Sequence, residues 1–376
     1  MNLSTRAIEL TQELLRFNTI NPTHPERACA EYLAHLLESG GFAVEFDEFA
    51  PNRTSLVAKV EGASADPSLA FTGHIDTVPL GGAPWSRDPF SGEVLNGRLY
   101  GRGSSDMKSG VAAFVIAALD LAKLARSHSG LVLLILAGEE SGCEGAFHLA
   151  RQTTMLGQAG ALIVAEPSSN RPLVGHKGAF WLRGRTTGVT AHGSMPEKGV
   201  NAIYAAARAV SALQQFRFDV APDPLLGKPS LNVGTISGGL NINSVPDRAE
   251  IGIDIRTIPG QEHVALRRRL QAALGEEVAL EPIVDVPGVL TPLENGWVED
   301  VFEVMTGVLG SRPEAEAAPY FTDASALTPA YGGIPTIVLG PGEMAMAHQT
   351  DEYCEIDRIG QAVEAYVQIA RRWWEV

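Results

Sequence analysis

The sequence predicts an α/β domain that is interrupted by an inserted α+β domain. Three observations support this organisation. Short apolar runs alternate with helical patterns up to about residue 165, which is typical of a sheet covered on both faces. From about Gly178 the strands alternate apolar and polar residues instead, as strands with one exposed face do. The first pattern then resumes, so we expect the insertion at residues 178–288, between the parts 1–177 and 289–376 of the other domain.

The first part of the chain begins with two helices and continues with strands. Ser4 can cap the first helix, the Asn21-Pro22 pair ends it, and a pair of glycines ends the second. The run at 131–137 is short, continuously apolar and rich in β-branched residues, which indicates a buried strand. The predicted helices are 4–17, 25–40 and 110–125, and the predicted strands are 42–47, 55–60, 68–72, 131–137 and 161–165.

The insertion has the element order β-α-β-β-α-β. Its third strand alternates most clearly, with Ile251 and Ile253 on one face and Asp254 and Arg256 on the other. This element order predicts a ferredoxin-like α+β domain. The predicted strands are 180–186, 230–237, 248–256 and 277–284, and the predicted helices are 199–216 and 262–274. The last part of the chain adds helices at 295–309 and 357–374 and a strand at 335–340.

The composition excludes several classes of protein. The 376 residues include 29 Lys and Arg against 44 Asp and Glu, a net charge of −15, whereas nucleic acids and anionic membranes need a basic partner surface. The longest apolar runs, 111–119 and 131–137, are far shorter than the about 18 residues of a membrane span. The N-terminus lacks a signal-peptide pattern, and three scattered cysteines favour reduced thiols. We therefore expect a cytoplasmic protein that binds neither nucleic acid nor membranes.

Five side chains that commonly bind metals are predicted at five strand ends. Two adjacent carboxylates at the end of a core strand, Glu139 and Glu140, are costly to desolvate unless a cation relieves their repulsion. Two histidines and three carboxylates without cysteine suit two Zn²⁺, Co²⁺ or Mn²⁺ ions about 3.5–4 Å apart. One shared carboxylate would give each ion three protein groups and leave Glu139 as a general base. The five side chains are those of His74, Asp106, Glu140, Glu166 and His348.

Each motif also has a simpler interpretation. The glycine-rich segment 101–110 before a helix could cradle phosphate, but it lacks the Gly-Lys-Ser/Thr of a P-loop, and the carboxylate of Asp106 would repel phosphate. The two adjacent glutamates could be solvated loop residues, although the carboxyl end of a core strand is the usual ligand side of an α/β sheet. Asp76 could belong to a surface turn, or it could fix the orientation of His74.

In combination, these motifs resemble those of the M20 family of metallopeptidases and amidohydrolases, which includes acetylornithine deacetylase, succinyl-diaminopimelate desuccinylase, aminoacylase and glutamate carboxypeptidase. The resemblance implies a zinc-peptidase-like catalytic domain with a mixed sheet, interrupted by an inserted lid and dimerisation domain. It covers almost the whole chain in the family's order, through the stretches 73–79, 100–110, 138–142, 166–167, 188–202 and 340–353.

The resemblance assigns the five predicted metal-binding side chains, which we call the metal-type ligands, to two ions. It implies that His74 and Glu166 bind one ion. Glu140 and His348 would bind the other ion, and Asp106 would bridge the pair. The resemblance also implies a cis peptide bond directly after Asp106.

Catalytic and substrate-binding roles follow from the same resemblance. Glu139 would be the general base, and Asp76 would lie behind a metal-binding histidine. His192 would stabilise the oxyanion in the active site of the partner subunit, although the sequence alone favours an ordinary loop histidine. Arg256 would bind the α-carboxylate of the substrate through its bidentate fork, joined by Asn243, although a solvent-facing arginine has the same pattern.

The late loop departs from the family on the substrate side of the site. Related enzymes often carry glycines before its Thr-Asp pair, where this chain has Tyr320 and Phe321 before Thr322. We assign Thr322 to substrate binding. The stretch 340–353 is more similar to acetylornithine deacetylase than to the desuccinylase.

We therefore predict a dinuclear zinc amidohydrolase that cleaves the amide bond of an N-acyl-L-amino acid. The alternatives are a metallo-carboxypeptidase or dipeptidase of the same family, a metal-dependent phosphoesterase, and a non-catalytic scaffold on this fold. The filled set of ligand positions argues against a scaffold, and Arg256 argues for a carboxylate substrate. Family members often pair through the inserted domain, so we expect a homodimer in which that domain closes as a lid.

Overall fold

The computed structural model describes residues 2–376, which divide into two compact units. The large unit comprises the chain up to Gly175 together with Leu290–Ala317 and Thr322–Val376. The small unit comprises His176–Val289 and Ala318–Phe321. The sequence pattern assigns the last of these segments to the part 289–376, whereas its four residues pack with the small unit.

Ten α-helices and sixteen strands are present in the described residues. In chain order they are α1 (Leu3–Leu15), α2 (Arg27–Ser39), β1 (Ala43–Ala50), β2 (Arg53–Val60), β3 (Ser68–His74), β4 (Val94–Leu95), β5 (Arg98–Tyr100), α3 (Lys108–Ala125), β6 (Leu131–Leu136), α4 (Glu144–Leu149), α5 (Thr153–Leu156), β7 (Ala159–Val164), β8 (Leu173–His176), β9 (Gly178–Thr187), α6 (Ala202–Gln214), β10 (Ser230–Gly238), β11 (Arg248–Thr257), α7 (His263–Leu274), β12 (Val278–Val286), β13 (Val289–Leu290), α8 (Gly296–Leu309), β14 (Glu316–Ala318), α9 (Ala324–Ala330), β15 (Thr336–Val338), β16 (Tyr353–Glu355) and α10 (Ile356–Trp373).

The main sheet is mixed, as predicted, with strand order β1-β2-β6-β3-β7-β15-β8-β13 and β14 beside β8. Its four central strands, β6, β3, β7 and β15, are parallel to one another, while β2 and β8 pair with them antiparallel. In register, His74 lies opposite Leu136, and both Thr72 and Val338 lie opposite Val164. The carboxyl ends of the four parallel strands therefore meet at one edge of the sheet.

Burial explains why these strands could be predicted. Every residue of β6 is buried, so its sequence is continuously apolar rather than alternating. Helix α3 covers β3 and β6 and packs against α1 and α10, and most of its residues are buried as well. The shortest elements, such as β4, β5 and β16, were not predicted, because two or three residues carry no periodicity that distinguishes a strand.

The small unit has the predicted ferredoxin-like arrangement. Its four strands are antiparallel in the order β10-β11-β9-β12, and helices α6 and α7 complete the element order β-α-β-β-α-β. Ile251, Ile253 and Ile255 of β11 point into the core, as their alternation predicts. Helix α6 begins later than predicted, because the side chain of Asn201 caps its first turn by accepting from the amide of Ile203 at 2.9 Å.

Two structural findings concern the membrane and the cysteine predictions. No helix within residues 2–376 combines the length and the apolar composition that crossing a bilayer would require. The three cysteines, Cys29, Cys143 and Cys354, are all free and buried.

Candidate active site

Four of the five predicted metal ligands follow, or end, parallel strands of the main sheet. His74 is the last residue of β3, Glu140 follows β6, Glu166 follows β7, and His348 follows β15 in the chain. The prediction that all five ligands lie at strand ends is wrong for Asp106. This residue lies in the loop between β5 and α3 and not at the end of a strand of the main sheet. Its peptide bond to Met107 is cis, as the resemblance implies.

Asp106 lies between the two histidines. Its Oδ1 atom is 3.1 Å from Nε2 of His74, and its Oδ2 atom is 3.4 Å from Nε2 of His348. Each histidine faces one further carboxylate: Glu166 Oε1 lies 3.6 Å from His74 Nε2, and Glu140 Oε2 lies 3.1 Å from His348 Nε2. The structure thus brings all five side chains together as two groups that share Asp106.

The donor set fits a pair of divalent cations. Ligand atoms of His74, Asp106 and Glu140 all lie within 4.8 Å of one another, as do those of His74, Glu139 and Glu166. The Oε1 atom of Glu140 is buried and accepts no hydrogen bond from any described residue. Among the described residues, Asp106, Glu140 and Glu166 form their ion pairs with the two imidazoles and not with a lysine or arginine. Nitrogen and oxygen donors of this kind suit zinc, cobalt or manganese.

The electrostatics of the cluster follow from burial and from the mutual contacts of its members. Burial and the neighbouring Glu166 raise the pKa of Glu139 well above its usual range. Burial also raises the pKa of Glu166 to about 8, against the opposing effect of His74. Hydrogen bonds to Asp106 and Glu140 raise the pKa of His348 to about 10. A cation would relieve the repulsion between the carboxylates and release the protons that these groups hold.

Asp76 fixes the orientation of His74 through its backbone. Nδ1 of His74 lies 2.9 Å from the carbonyl oxygen of Asp76, which can only accept, so Nδ1 carries a proton and Nε2 faces Asp106. The carboxylate of Asp76 is farther from the ring, at 3.6 Å. That carboxylate instead accepts hydrogen bonds from the amides of Glu139 and Glu140 and from Nδ2 of Asn21. Asn21 was not predicted, because it comes from a distant loop.

Glu139 is buried beside the cluster, where Sγ of Cys143 lies 3.9 Å from its Oε1 atom. The structure adds Asp323, which the sequence pattern did not single out. Asp323 is buried at the start of α9, and burial raises its pKa to about 7 against the opposing effect of His74. Its signal in the sequence is the Thr-Asp pair of the late loop, of which only Thr322 is given a role in the sequence analysis.

Thr322 lies next to Asp323 but is turned toward its own backbone. Its side chain is fully buried, and its Oγ1 atom accepts a hydrogen bond from the amide of Ala324 at 3.1 Å. This hydroxyl contact is with the turn of Thr322 itself, and substrate binding by Thr322 stays a prediction.

The remaining predicted residues belong to the small unit. His192 and Asn243 are both exposed and lie on adjacent loops, joined by a hydrogen bond from the amide of Gly193 to the carbonyl of Asn243 at 2.8 Å. Nδ1 of His192 accepts from the hydroxyl of Ser194 at 2.8 Å. The structure therefore brings His192 and Asn243 together.

Arg256 lies on the exposed face of β11, separate from those loops in the sequence. Its Nε atom lies 3.0 Å from Oδ1 of Asp254. Its guanidinium carbon is 5.8 Å from the ring centre of Trp181 and 5.9 Å from that of Phe321, and the two rings meet edge to face. Arg256 is thus held by one carboxylate and two aromatic rings, and its side chain is only partly buried.

Comparison with known proteins agrees with the resemblance. The sequence-family model of Peptidase family M20/M25/M40 matches residues 70–372 of this chain. An acetylornithine deacetylase of Proteus mirabilis is 31% identical over 387 residues, covering 96% of each chain. Among solved structures, an M20 family metallo-carboxypeptidase from Sulfolobus solfataricus superposes with a TM-score of 0.84 at 19% identity and covers 100% of both chains. A dinuclear metal binding peptidase of the M20 family from Bacillus subtilis superposes with a TM-score of 0.73 at 16% identity, over 99% of both chains.

The two solved structures establish a shared fold, while the family model and the curated relative extend over most of the sequence. The family's order of motifs, the mixed sheet with its ferredoxin-like insertion and the cluster of histidines and carboxylates agree with one another. The chain therefore belongs to peptidase family M20/M25/M40 and is a metal-dependent hydrolase.

Proposed function

We propose that this chain hydrolyses the amide bond of an N-acyl-L-amino acid by means of two Zn²⁺ ions, for which Co²⁺ or Mn²⁺ could substitute. The proposal rests on the contacts of Asp106, whose carboxylate meets His74 through one oxygen and His348 through the other. The acyl-amino acid substrate is supported by relatives named acetylornithine deacetylase, which are about 30% identical over most of the chain.

In this proposal each ion is held by one histidine, one glutamate and the shared Asp106. His74 and Glu166 would hold the first ion, and His348 and Glu140 would hold the second. Bound there, the ions would lower the pKa of a shared water and polarise the amide carbonyl. Asp76 would keep His74 in the tautomer whose Nε2 is available as a ligand.

Glu139 is the proposed general base and acid. It is buried beside His74 and Glu166, and burial together with the Glu166 carboxylate raises its pKa above the usual range of a glutamate. A carboxyl group in this position can accept a proton from water and give it back to the leaving group. Glu139 accepts the proton of the attacking water and then delivers it to the nitrogen of the leaving amine. His192, from the partner subunit in this proposal, donates a hydrogen bond to the oxyanion that forms.

Arg256 is the proposed anchor for the α-carboxylate of the substrate, with the amide of Asn243 beside it. A planar guanidinium binds a carboxylate with two parallel hydrogen bonds, which fixes both the position and the direction of the scissile bond. The contacts with Asp254, Trp181 and Phe321 hold the arginine in place and support this role.

Replacing Arg256 with alanine is expected to lower kcat/KM for an N-acetyl amino acid about 10- to 100-fold, because a hydrogen-bonded charge pair with the substrate is lost. The measurement is steady-state kinetics with the free acid and with its carboxamide, which lacks the charge. The R256A variant and the wild type should hydrolyse the carboxamide at similar rates. Equal losses on both substrates would contradict an anchor for the carboxylate. R183A on β9 is the matched control, since Arg183 is a half-exposed arginine on the same sheet face.

The test of the substrate class is a panel of N-acetyl, N-succinyl and N-formyl amino acids, unblocked dipeptides and a generic phosphate ester. The proposal predicts release of the acyl group from the N-acyl amino acids. Preferential cleavage of the dipeptides would indicate a peptidase, and cleavage of the phosphate ester alone would indicate a phosphoesterase. No cleavage by metal-loaded protein would favour a scaffold.

We further propose that the protein is a cytoplasmic homodimer that pairs through the small unit. The small unit exposes four large apolar side chains, those of Tyr204 on α6, Ile236 on β10, and Leu240 and Ile242 in the following loop. Leu240 and Ile242 are 98% and 104% exposed. We propose that these side chains meet in the dimer, because contiguous exposed apolar surface usually marks an interface. The buried free thiols are compatible with a reducing compartment.

The double substitution Leu240→Asp and Ile242→Asp is expected to convert the dimer into monomers, because two charges would be desolvated in the interface. Size-exclusion chromatography with light scattering measures the mass. The matched control is Val264→Asp on α7, another exposed apolar residue of the same unit, which is 58% exposed and is not one of these four. A wild-type protein that is already monomeric at micromolar concentration would contradict the proposal.

A further inference from the structure

We infer that Glu352 is a positioning residue that ties the loop carrying Asp106 to the loop carrying His348 and thereby sets the affinity for the second metal ion. The inference rests on the proposed metal site, and Glu352 itself is not a proposed ligand. It concerns how two ligands from distant parts of the sequence are held at a fixed separation.

The carboxylate of Glu352 is saturated by the loop that carries Asp106. Its Oε1 atom accepts hydrogen bonds from the amides of Ser105 at 2.8 Å and Asp106 at 3.0 Å. Its Oε2 atom accepts from the amide of Gly103 at 3.1 Å and from Nη1 of Arg102 at 2.6 Å. A carboxylate offers about four acceptor positions, and this side chain uses all of them for four residues of the segment 102–106.

The backbone around Glu352 joins the same two loops. The carbonyl of Glu352 accepts from the amide of Gly101 at 2.9 Å, and the carbonyl of Tyr353 accepts from the hydroxyl of Ser105 at 2.7 Å. Both contacts lie close to the side-chain hydrogen bonds of Glu352. The segment that follows His348 is therefore fixed to the Asp106 loop by side chain and backbone together.

His348 depends on this anchorage more than the other ligands do. It lies outside the helices and strands, has a left-handed backbone with φ of 63°, and its side chain is 54% exposed. His74, in contrast, is held within β3, and Glu166 directly follows β7, so hydrogen bonds of the sheet place them. Loosening the loops should therefore weaken the ion held by His348 and Glu140 more than the ion held by His74 and Glu166.

Glutamine at position 352 would keep the shape of the side chain but not its function as a fourfold acceptor. Its amide nitrogen would face at least two of the four donors, and a donor against a donor is repulsive. The guanidinium of Arg102, which is 1% exposed, would also lose its carboxylate. The amides that fix Asp106 would then be free to move.

The experiment is titration of metal-free E352Q and wild-type protein with Zn²⁺ by calorimetry and with Co²⁺ by visible absorption. In E352Q the first equivalent is expected to bind within about threefold of the wild type, and the second about 10- to 100-fold more weakly, a range typical of residues that orient ligands. The matched control is E343Q. Glu343 pairs with Arg358 at 2.6 Å on the same late segment, and its side chain has no described contact with the Asp106 loop.

Selective loss of the second equivalent separates positioning from a general loss of stability, which would lower the unfolding temperature of the metal-free protein without favouring one ion. Two equivalents bound as tightly as in the wild type, or equal weakening of both, would overturn the inference. If E352Q does not fold, E352D provides the same test, because it keeps a charge for Arg102 but is one methylene too short to reach all four donors. A wild-type protein that binds no metal would instead overturn the proposed metal site.

Discussion

Replacing Glu139 with glutamine is expected to lower kcat about 10²- to 10⁴-fold while the metal content stays at the wild-type level. Glutamine has nearly the same shape as glutamate but cannot take a proton from water near neutral pH. A carboxylate oxygen of Glu139 lies within 4.8 Å of ligand atoms of His74 and Glu166. Glu139 takes no part in the contacts of Asp106 with the two histidines, so the metal-type ligands should remain in place. The measurements are kcat with the best substrate of the panel and metal content by mass spectrometry.

The control for this substitution is Glu144→Gln. Glu144 begins α4 shortly after Glu139 in the chain, but its side chain is about half exposed and bonds Ser141. E144Q should therefore keep nearly full activity. An E139Q protein with two bound ions and a rate close to that of the wild type would refute Glu139 as the base, and loss of metal from E139Q would place Glu139 among the ligands instead.

The second large effect is expected for Asp106→Asn. Asparagine retains one carbonyl oxygen, whereas the two oxygens of Asp106 face two different histidines, at 3.1 and 3.4 Å. The variant should bind at least one of the two ions about 100-fold more weakly or worse, since even residues that only orient ligands cost 10- to 100-fold. Amide hydrolysis should fall at least as far as it does in E139Q.

Titration of metal-free D106N with Zn²⁺, followed by an activity assay at saturating Zn²⁺, measures both effects. Asp120→Asn is the control, because Asp120 lies on α3, the helix that begins just after Asp106, and its side chain is exposed. Two tightly bound ions in D106N would contradict the bridging assignment.

Much of the fold follows from burial patterns that are visible in the sequence. The continuous apolar run of β6 and the alternation of β11 reflect burial on two faces and on one face, respectively. The order of the parallel strands was not predictable in this way, because strand order depends on contacts between distant segments. The short strands β4, β5 and β16 form a small sheet that only the three-dimensional structure reveals.

In the candidate site too, local sequence patterns predict some residues, while others depend on contacts between distant segments. His74, Glu140 and Glu166 could be predicted because each lies at or soon after the end of an apolar strand, where side chains of an α/β sheet converge. Asp106 could be predicted from its motif, a glycine-rich segment before a helix, and only its grouping with the strand ends was wrong. Glu352 was missed entirely, since its hydrogen bond to the amide of Gly103 joins residues 249 positions apart.

Two other assignments show where residue type alone is insufficient. Asp76 orients His74 through its carbonyl oxygen, while its carboxylate holds the turn that carries Glu139 and Glu140. Thr322 has a hydroxyl that suits a substrate contact, but that hydroxyl caps the backbone at Ala324 and is fully buried. In both cases the side chain has more than one available partner, and the local backbone decides which partner it meets.

We propose that the cluster around Asp106 holds two metal ions that amide hydrolysis requires. Stepwise addition of Zn²⁺ to the metal-free 376-residue chain, with hydrolysis of an N-acetyl amino acid measured at each step, tests this proposal most directly. We predict no hydrolysis without metal and a rate that reaches its plateau at about two ions per chain. Hydrolysis by the metal-free chain at the same rate as by the loaded chain would contradict the proposal.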